Sequence, residues 1–374
     1  MRVLFVNQRA YLPQLVGGIE LTTLQLARQL ARMGHETAIM CGIEPRGAVW
    51  LRNRIVSRLS GRAFPADRYR GSLVYRGYDS RRNFDEVIAD FRPDAVLING
   101  GHMNAFEQAA LAVRRHIPAA YYCHDLTTLR ALKSPALLDG VALIANSEYT
   151  AGVLTGVFGR PATVIPPLVD PEVYRTVSSR RVVMVVNPRR SKGGQTAFDL
   201  ARACSDIPFM FVEAWTRDDP FVSALHMAAC KFPNMSWHRP TLGMRRLYGR
   251  TRILLFPSER EDETWGRVAS EAHVSGIPVL GSTVGALPES VGPGGILVDL
   301  GAPLERWIAA LRAMWDDTAL YAQLSARALD YSERLELRPD WQGERVIALL
   351  GAVSRPDVTC LSGRAACDGA IVRT

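Results

Sequence analysis

Residues 256–300 read FPSEREDETWGRVASEAHVSGIPVLGSTVGALPESVGPGGILVDL, and this stretch decides the fold. The apolar run Ile253-Leu254-Leu255-Phe256 leads into it and stops at Pro257, as a buried parallel strand does. An acidic loop follows (Glu259, Glu261, Asp262, Glu263), then Trp265-Gly266 and a helical pattern through Val274. Gly276 supplies the terminal glycine of that helix, and Pro278 bars its continuation. Ile277-Pro278-Val279-Leu280 is the next strand, with the small residues Gly281-Ser282-Thr283 at its carboxyl end. The order strand, loop, helix, strand puts the loop and the helix N-terminus at the carboxyl edge of a sheet. Open α/β sheets bind their ligands on that edge.

The chemistry of the loop narrows the ligand. Gly266 lets a ligand approach the backbone, and free N–H groups at the positive helix end favour a phosphate. Glu263 precedes the helix and Glu271 lies about two turns inside it, so both can face one crevice. A carboxylate beside a phosphate is suited to accepting hydrogen bonds from sugar hydroxyls. Phosphate donors flanked by two such carboxylates suit a sugar nucleotide. The bland reading is a solvated acidic loop and an ordinary helical glutamate, and two Glu at one spacing do not decide between them.

The segment PSEREDETWGRVASEAHVSGIPVLGS resembles the signature of retaining GT-B glycosyltransferases of family 4 (glycosyl transferases group 1): a Glu, seven residues, and a second Glu before a small-residue strand. Glu263 and Glu271 match the two positions, and Trp265-Gly266 falls where the family has an aromatic residue and a glycine. The resemblance implies that Glu263 contacts the transferred sugar, Glu271 holds the ribose, and backbone amides between them bind the diphosphate; Trp265, Gly266 and Arg267 are donor-binding candidates with them.

Length and composition agree with a two-domain globular chain. At 374 residues it exceeds one ordinary core, and 48% hydrophobic with 22% charged residues is the balance of a soluble protein. Six cysteines are scattered without metal-ligand spacing, and no stretch approaches about 18 consecutive apolar residues. A cytoplasmic location is expected, with a peripheral place at the inner face of the membrane as a second reading. The net charge of +8 is concentrated: residues 46–82 hold ten Arg against Asp67 and Asp79. A nucleic-acid binder would spread its cations over the folded body, so nucleic acid is not expected as a partner.

In chain order, residues 2–7 (RVLFVN) form a buried strand, and Gly17-Gly18-Ile19-Glu20 opens a helix before the strand at 37–40. This βαβ unit has a glycine turn at the ligand edge but not the dinucleotide fingerprint. It resembles the glycine-rich loop of family 4, which makes Gly17 and Gly18 donor-site candidates. Residues 94–100, 118–123 and 143–147 are further strands, and the second of these ends at His124-Asp125. The family carries a similar pair with its histidine near the donor sugar; the plainer reading is a loop cap. Residues 182–187 open the second domain, followed by Pro188-Arg189-Arg190-Ser191-Lys192-Gly193-Gly194. Cations and paired glycines before a helix suit a diphosphate clamp, with Lys as point charge and Arg as fork. The family shows Arg, four residues, Lys, Gly here; Lys192-Gly193 matches, but the Arg position is Asn187. Arg189 and Arg190 are both open as substitutes.

These readings give an α/β, GT-B architecture: two Rossmann-like, doubly wound domains facing a cleft. Residues 1–175 are the acceptor-side domain with its Arg-rich insertion 46–82. Residues 176–335 bind the nucleotide sugar, a helix in 336–350 crosses back, and 351–374 form a loose tail. The resemblance implies transfer of a sugar to an acceptor hydroxyl with retention; with no DxD motif or His cluster in the sequence no metal is expected, nor any cofactor beyond the co-substrate, UDP- or GDP-linked donors leading. His124, Glu263 and Lys192 are the catalytic candidates, and the acceptor is a small molecule, a glycan or a lipid-linked group. A sugar-nucleotide epimerase or a non-catalytic nucleotide-sugar-binding protein are the rival readings. Within 46–82, Val49-Trp50-Leu51, Ile55-Val56 and Leu59 share a helical face with Arg interleaved, which suits an anionic membrane or acceptor.

Overall fold

The computed structural model describes residues 1–132, 134–213 and 219–353. Eight strands make the first sheet: β1 (Arg2–Ala10), β2 (Glu36–Gly42), β3 (Ala66–Tyr69), β4 (Ser72–Arg76), β5 (Ala95–Asn99), β6 (Ala119–Cys123), β7 (Ala142–Ala145) and β8 (Thr163–Val164). Their spatial order is β3-β4-β2-β1-β5-β6-β7-β8, and every pairing is parallel except β3 with β4. The second sheet holds β9 (Val182–Val186), β10 (Phe209–Val212), β11 (Met235–His238), β12 (Thr251–Phe256), β13 (Val279–Ser282) and β14 (Gly295–Val298). Its order is β11-β10-β9-β12-β13-β14, all parallel. In both sheets the strand order reverses beside the first strand, the point where α/β sheets open a crevice.

The central strands are buried on both faces, which is why they read as unbroken apolar runs rather than alternating ones. Each sheet therefore separates two apolar layers under its covering helices. The helix Pro339–Val353 does not stay with the second sheet. Its Val346 and Leu350 join the layer of Val3, Phe5, Leu24 and Leu30 on the first, and Gln342 Nε2 donates to the Pro166 carbonyl at 3.0 Å. The helix runs on through the first three residues of the tail expected at 351–374; the remainder of that tail lies outside the described residues.

The Arg-rich segment is not one insertion. Ser72–Arg76 pairs in parallel with β2, in the register Ala38↔Leu73 to Cys41↔Arg76, and extends the sheet. The reason is in the residues: Val74 and Tyr75 are buried, and Arg76 is 1% exposed. Arg76 Nε lies 3.0 Å from Asp67 Oδ2, and Nη2 donates to the Leu12 carbonyl at 2.6 Å. A third of the local sequence read as surface cation is thus sheet and its hairpin.

One buried group gives the fold a pH dependence. His273, on the helix Arg267–His273, is 1% exposed, and burial, aided by Arg334, lowers its pKa to about 4. Between pH 6.5 and about 4 the unfolded chain holds a proton on this imidazole that the folded protein does not. Its contribution is therefore intact above pH 6.5 and lost as the pH falls through that window, by about 3 kcal/mol in all. Denaturant midpoints measured from pH 7 to 4.5 should fall less steeply in His273→Gln than in the unaltered chain.

Candidate active site

The loop after β12 is fastened across the cleft to the first domain at several points. Thr264 Oγ1 donates to the carbonyl of His124 and accepts from Asn146 Nδ2, both at 2.9 Å. Arg260 Nη2 donates to Asp125 Oδ1 at 2.8 Å while its Nε holds Asp262 Oδ1 at 2.6 Å. Farther along, Glu289 accepts from the backbone N–H groups of Glu148 and Tyr149, each at 2.7 Å. These two amides open the helix Glu148–Phe158, where a carboxylate suits the positive helix end. The two domains thus meet along the acidic loop, at His124-Asp125 and at the start of the helix Glu148–Phe158.

Lys192 and Glu263 come together: Lys192 Nζ donates to Glu263 Oε2, which also accepts from Ser258 Oγ at 3.2 Å. Gly193 makes this possible. Its φ of 72° is left-handed, and a Cβ there would lie 1.8 Å from the Pro257 carbonyl oxygen, so only glycine lets the cationic loop press on the start of the acidic one. Glu263 is 8% exposed, and its Oε1 has no protein partner among the described residues. The pair therefore offers a cation and a carboxylate oxygen side by side at the cleft.

The other expected clamp residues face elsewhere. Arg189 Nε lies 3.3 Å from Asp219 Oδ2, and the Arg190 guanidinium stacks 4.5 Å from the centre of the Phe221 ring. Asn187 stands at a φ of 59°. The cation that shares Lys192's neighbourhood is Arg260, which feels Glu263 as well as Asp125 and Asp262. Sequence reading passed over it because four acids surround it in the loop, and a lone Arg there reads as charge balance.

Trp265, Gly266 and Arg267 are held inside the protein. Trp265 is 4% exposed with its indole N–H on Ser270 Oγ at 2.9 Å, so only its backbone is available to a ligand. Gly266 has a φ of 79°, and a Cβ would meet the Phe256 ring at 2.5 Å and Leu287 at 2.6 Å; packing and the helix entry demand the glycine. Arg267 uses all five of its N–H donors. Nε holds Glu271 Oε1 at 2.9 Å, Nη1 holds Thr22 Oγ1 at 3.0 Å and the Leu168 carbonyl, and Nη2 holds Gln25 Oε1 at 2.9 Å and the Tyr174 hydroxyl at 3.4 Å. It has no donor left for a diphosphate, which corrects the expectation from the signature: Arg267 is a buried tie between the domains. Glu271, 4% exposed, completes the tie by accepting from the Tyr248 hydroxyl at 2.9 Å. Burial raises its pKa, and Arg267 opposes that without cancelling it.

On the facing edge, Gly17 and Gly18 begin the helix Gly18–Arg32. A Cβ on Gly17 would lie 2.7 Å from Glu20 Oε2, so this glycine makes room for a carboxylate of its own domain; Gly18 has open space beside it. Glu20 is 4% exposed, and burial lifts its pKa to about 7.

His124 sits where β6 ends, its ring 4.0 Å from that of Tyr122. A polar chain fixes its hydrogens. Thr23 Oγ1 donates to the Ile19 carbonyl at 2.8 Å, so it accepts from Asn99 Nδ2 at 3.1 Å; the same amide donates to Asn7 Oδ1 at 2.7 Å. Asn99 Oδ1 is left as an acceptor, and it lies 3.0 Å from His124 Nε2. The imidazole must carry its proton on Nε2 and present Nδ1 as a bare acceptor. Burial, then the Arg267 charge, lowers its pKa to about 3, so the ring is neutral. Asn99→Asp should raise the His124 pKa by placing a carboxylate on Nε2–H, and nitrogen-15 shifts of the ring should show it.

Comparisons with known proteins match both domains, though the segment holding Lys192 lies between the residues that the two family models cover. The family model described as Glycosyltransferase Family 4 matches residues 16–173, and the one described as Glycosyl transferases group 1 matches residues 218–317. A D-inositol 3-phosphate glycosyltransferase of Corynebacterium kroppenstedtii is 35% identical over 98 residues, 26% of this chain and 21% of that protein. The match thus spans about a fifth of that relative's length. Sucrose-phosphate synthase from Thermosynechococcus elongatus has the same fold, with a TM-score of 0.73 at 15% identity over 94% of this chain and 98% of that one. Anabaena Alr3699/HepE, solved in complex with UDP and glucose, gives a TM-score of 0.72 at 19% identity, covering 94% of this chain and all, 100%, of the other. The fold is GT-B.

Proposed function

The chain belongs to the glycosyl transferases of group 1, glycosyltransferase family 4, and from that membership we propose that it moves a sugar from a nucleotide-sugar donor to an acceptor hydroxyl with retention of configuration. The observation that carries the reading is the convergence of Lys192, Glu263 and Arg260 at the N-terminal end of the helix Arg267–His273, opposite His124 and Asp125.

In this reading the donor diphosphate lies against Lys192 and Arg260, with the first amides of the helix behind it. Arg260 exchanges Asp125 for a phosphate oxygen, taking the part of the arginine that Asn187 replaces. Glu263 Oε1 and His124 Nδ1, both acceptors, receive hydroxyls of the transferred sugar. The bond between the sugar's anomeric carbon and the diphosphate oxygen breaks, and the acceptor oxygen bonds to that carbon on the same face. The acceptor's hydroxyl proton passes to the departing diphosphate. The two cations stabilise charge as it develops on the leaving group, which is where fixed charges lower a barrier most. A uridine donor is the first choice because a protein of this fold binds UDP with glucose.

A thermal-shift panel of UDP-, GDP-, ADP- and dTDP-sugars tests donor binding, since a bound ligand stabilises the folded chain by mass action. Release of free nucleoside diphosphate only when an acceptor extract is present distinguishes transfer from hydrolysis. Stabilisation by a nucleotide sugar with no acceptor-dependent release would instead identify a binding protein, and epimerised donor would identify the other rival.

A further inference from the structure

The helix Gly47–Ser60 lies on the first domain without burying any of its residues. It is tethered on one side by polar contacts: Trp50 Nε1 donates to the Tyr78 hydroxyl at 2.6 Å, and Asn53 Nδ2 donates to the Arg76 carbonyl at 2.8 Å. Val49, Trp50 and Val56 turn partly inward on this side. The rest of the apolar set faces solvent: Leu51 is 54% exposed, Ile55 51% and Leu59 84%. Four-residue steps put these three on one stripe of the helix. Arg54 and Arg58, three residues beyond Leu51 and Ile55, form the stripe beside it.

The cations on that stripe are uncommitted. Arg52 has Asp67 at 3.6 Å and Arg62 has Asp90 at 3.0 Å, but neither Arg54 nor Arg58 has a carboxylate partner among the described residues. Arg54 rests its guanidinium 5.2 Å from the centre of the Trp50 ring. The helix itself contains no Asp or Glu. Three solvent-facing aliphatic side chains beside two unpaired arginines match an anionic lipid surface. The aliphatic groups enter the headgroup boundary while the arginine stems lie along it and their charges reach the lipid phosphates. A stable protein partner would need a broader apolar face than one row of three side chains.

We infer that the helix Gly47–Ser60 docks the first domain on an anionic membrane surface, with Leu51, Ile55 and Leu59 inserted and Arg54 and Arg58 on the lipid phosphates. Among the described residues no helix is long and apolar enough to cross a membrane, so this contact is one of surface attachment. It stands apart from the transfer reaction, and either can fail alone.

The test is co-sedimentation of the full chain with vesicles of phosphatidylcholine alone and of phosphatidylcholine with phosphatidylglycerol, in low and high salt. Binding is expected on the anionic vesicles only, weakening as salt rises. The double variant Arg54→Glu/Arg58→Glu should bind about 25-fold more weakly or worse, at roughly a fivefold loss per cation removed. Leu51→Ser/Ile55→Ser/Leu59→Ser should lose the binding that survives in high salt. All five positions are solvent-facing, and unchanged circular dichroism will show that the variants fold. Equal partition onto both vesicle types, no binding to either, or variants that bind like the unaltered chain would each overturn the inference; the last would move the contact elsewhere on the chain.

Discussion

Lys192→Ala is expected to lower turnover about a hundred- to a thousand-fold while leaving the fold intact, as removal of one preorganised charge at a leaving group does. The side chain is 20% exposed and joins two loops of one domain, so little packing depends on it. Its loss leaves a largely buried Glu263 carboxylate with Ser258 alone, so some stability is lost as well, and a thermal melt should show the variant still folded before turnover is compared. Lys192→Arg should recover only part of the activity, because a planar fork cannot replace a compact charge on the same spot. Among the arginines, Arg260→Ala should come next. Arg189 is engaged by Asp219, and Arg190 lies on Phe221. A larger loss from either of them than from Arg260 would return the clamp to its expected place before the helix Gly194–Ala203. Normal turnover in the Lys192 variant, with acceptor saturating, would remove the clamp altogether.

Much of this arrangement was legible in the residues because the governing patterns are local. Buried parallel strands are short apolar runs, and residues 95–99, 182–186 and 251–256 announce themselves that way. The hairpin Ala66–Tyr69 with Ser72–Arg76 did not, because its arginines hide the apolar positions Val74 and Tyr75. The spacing of Glu263 and Glu271 located the loop and helix, but spacing cannot say which way a side chain is spent. Arg267 and Glu271 meet partners 242 to 245 residues or 23 residues away in the chain, and Arg260 meets Asp125 across 135. The contacts of Arg267 with Thr22 and Gln25 and of Arg260 with Asp125 depend on how two domains face each other. The hydrogens of His124 are a similar case: four residues from two strands and a helix fix them, with no motif in common.

The tie between Arg267 and Glu271 gives the other large effect, and it separates stability from ligand binding. Glu271→Ala should destabilise the chain by about 3–5 kcal/mol, because it strands a buried guanidinium without its carboxylate. Arg267→Ala should cost a similar amount and also release Thr22, Gln25 and the Leu168 carbonyl, the contacts that bind the second domain to the first. Since each variant already breaks the pair, the double variant should lose less than the sum of the two. Losses below about 1 kcal/mol for both single variants would mean that the tie does not hold the domains. Glu271→Gln keeps an amide oxygen for Arg267 and the volume of the side chain, so it should remain folded with a smaller loss. That variant decides whether the carboxylate also serves a donor. If Glu271 accepts ribose hydroxyls beside its internal partners, Glu271→Gln should weaken nucleotide binding by about 1–3 kcal/mol in a folded protein. Unchanged affinity would leave Glu271 with the structural task alone, and the ribose would then need a different acceptor on the cleft.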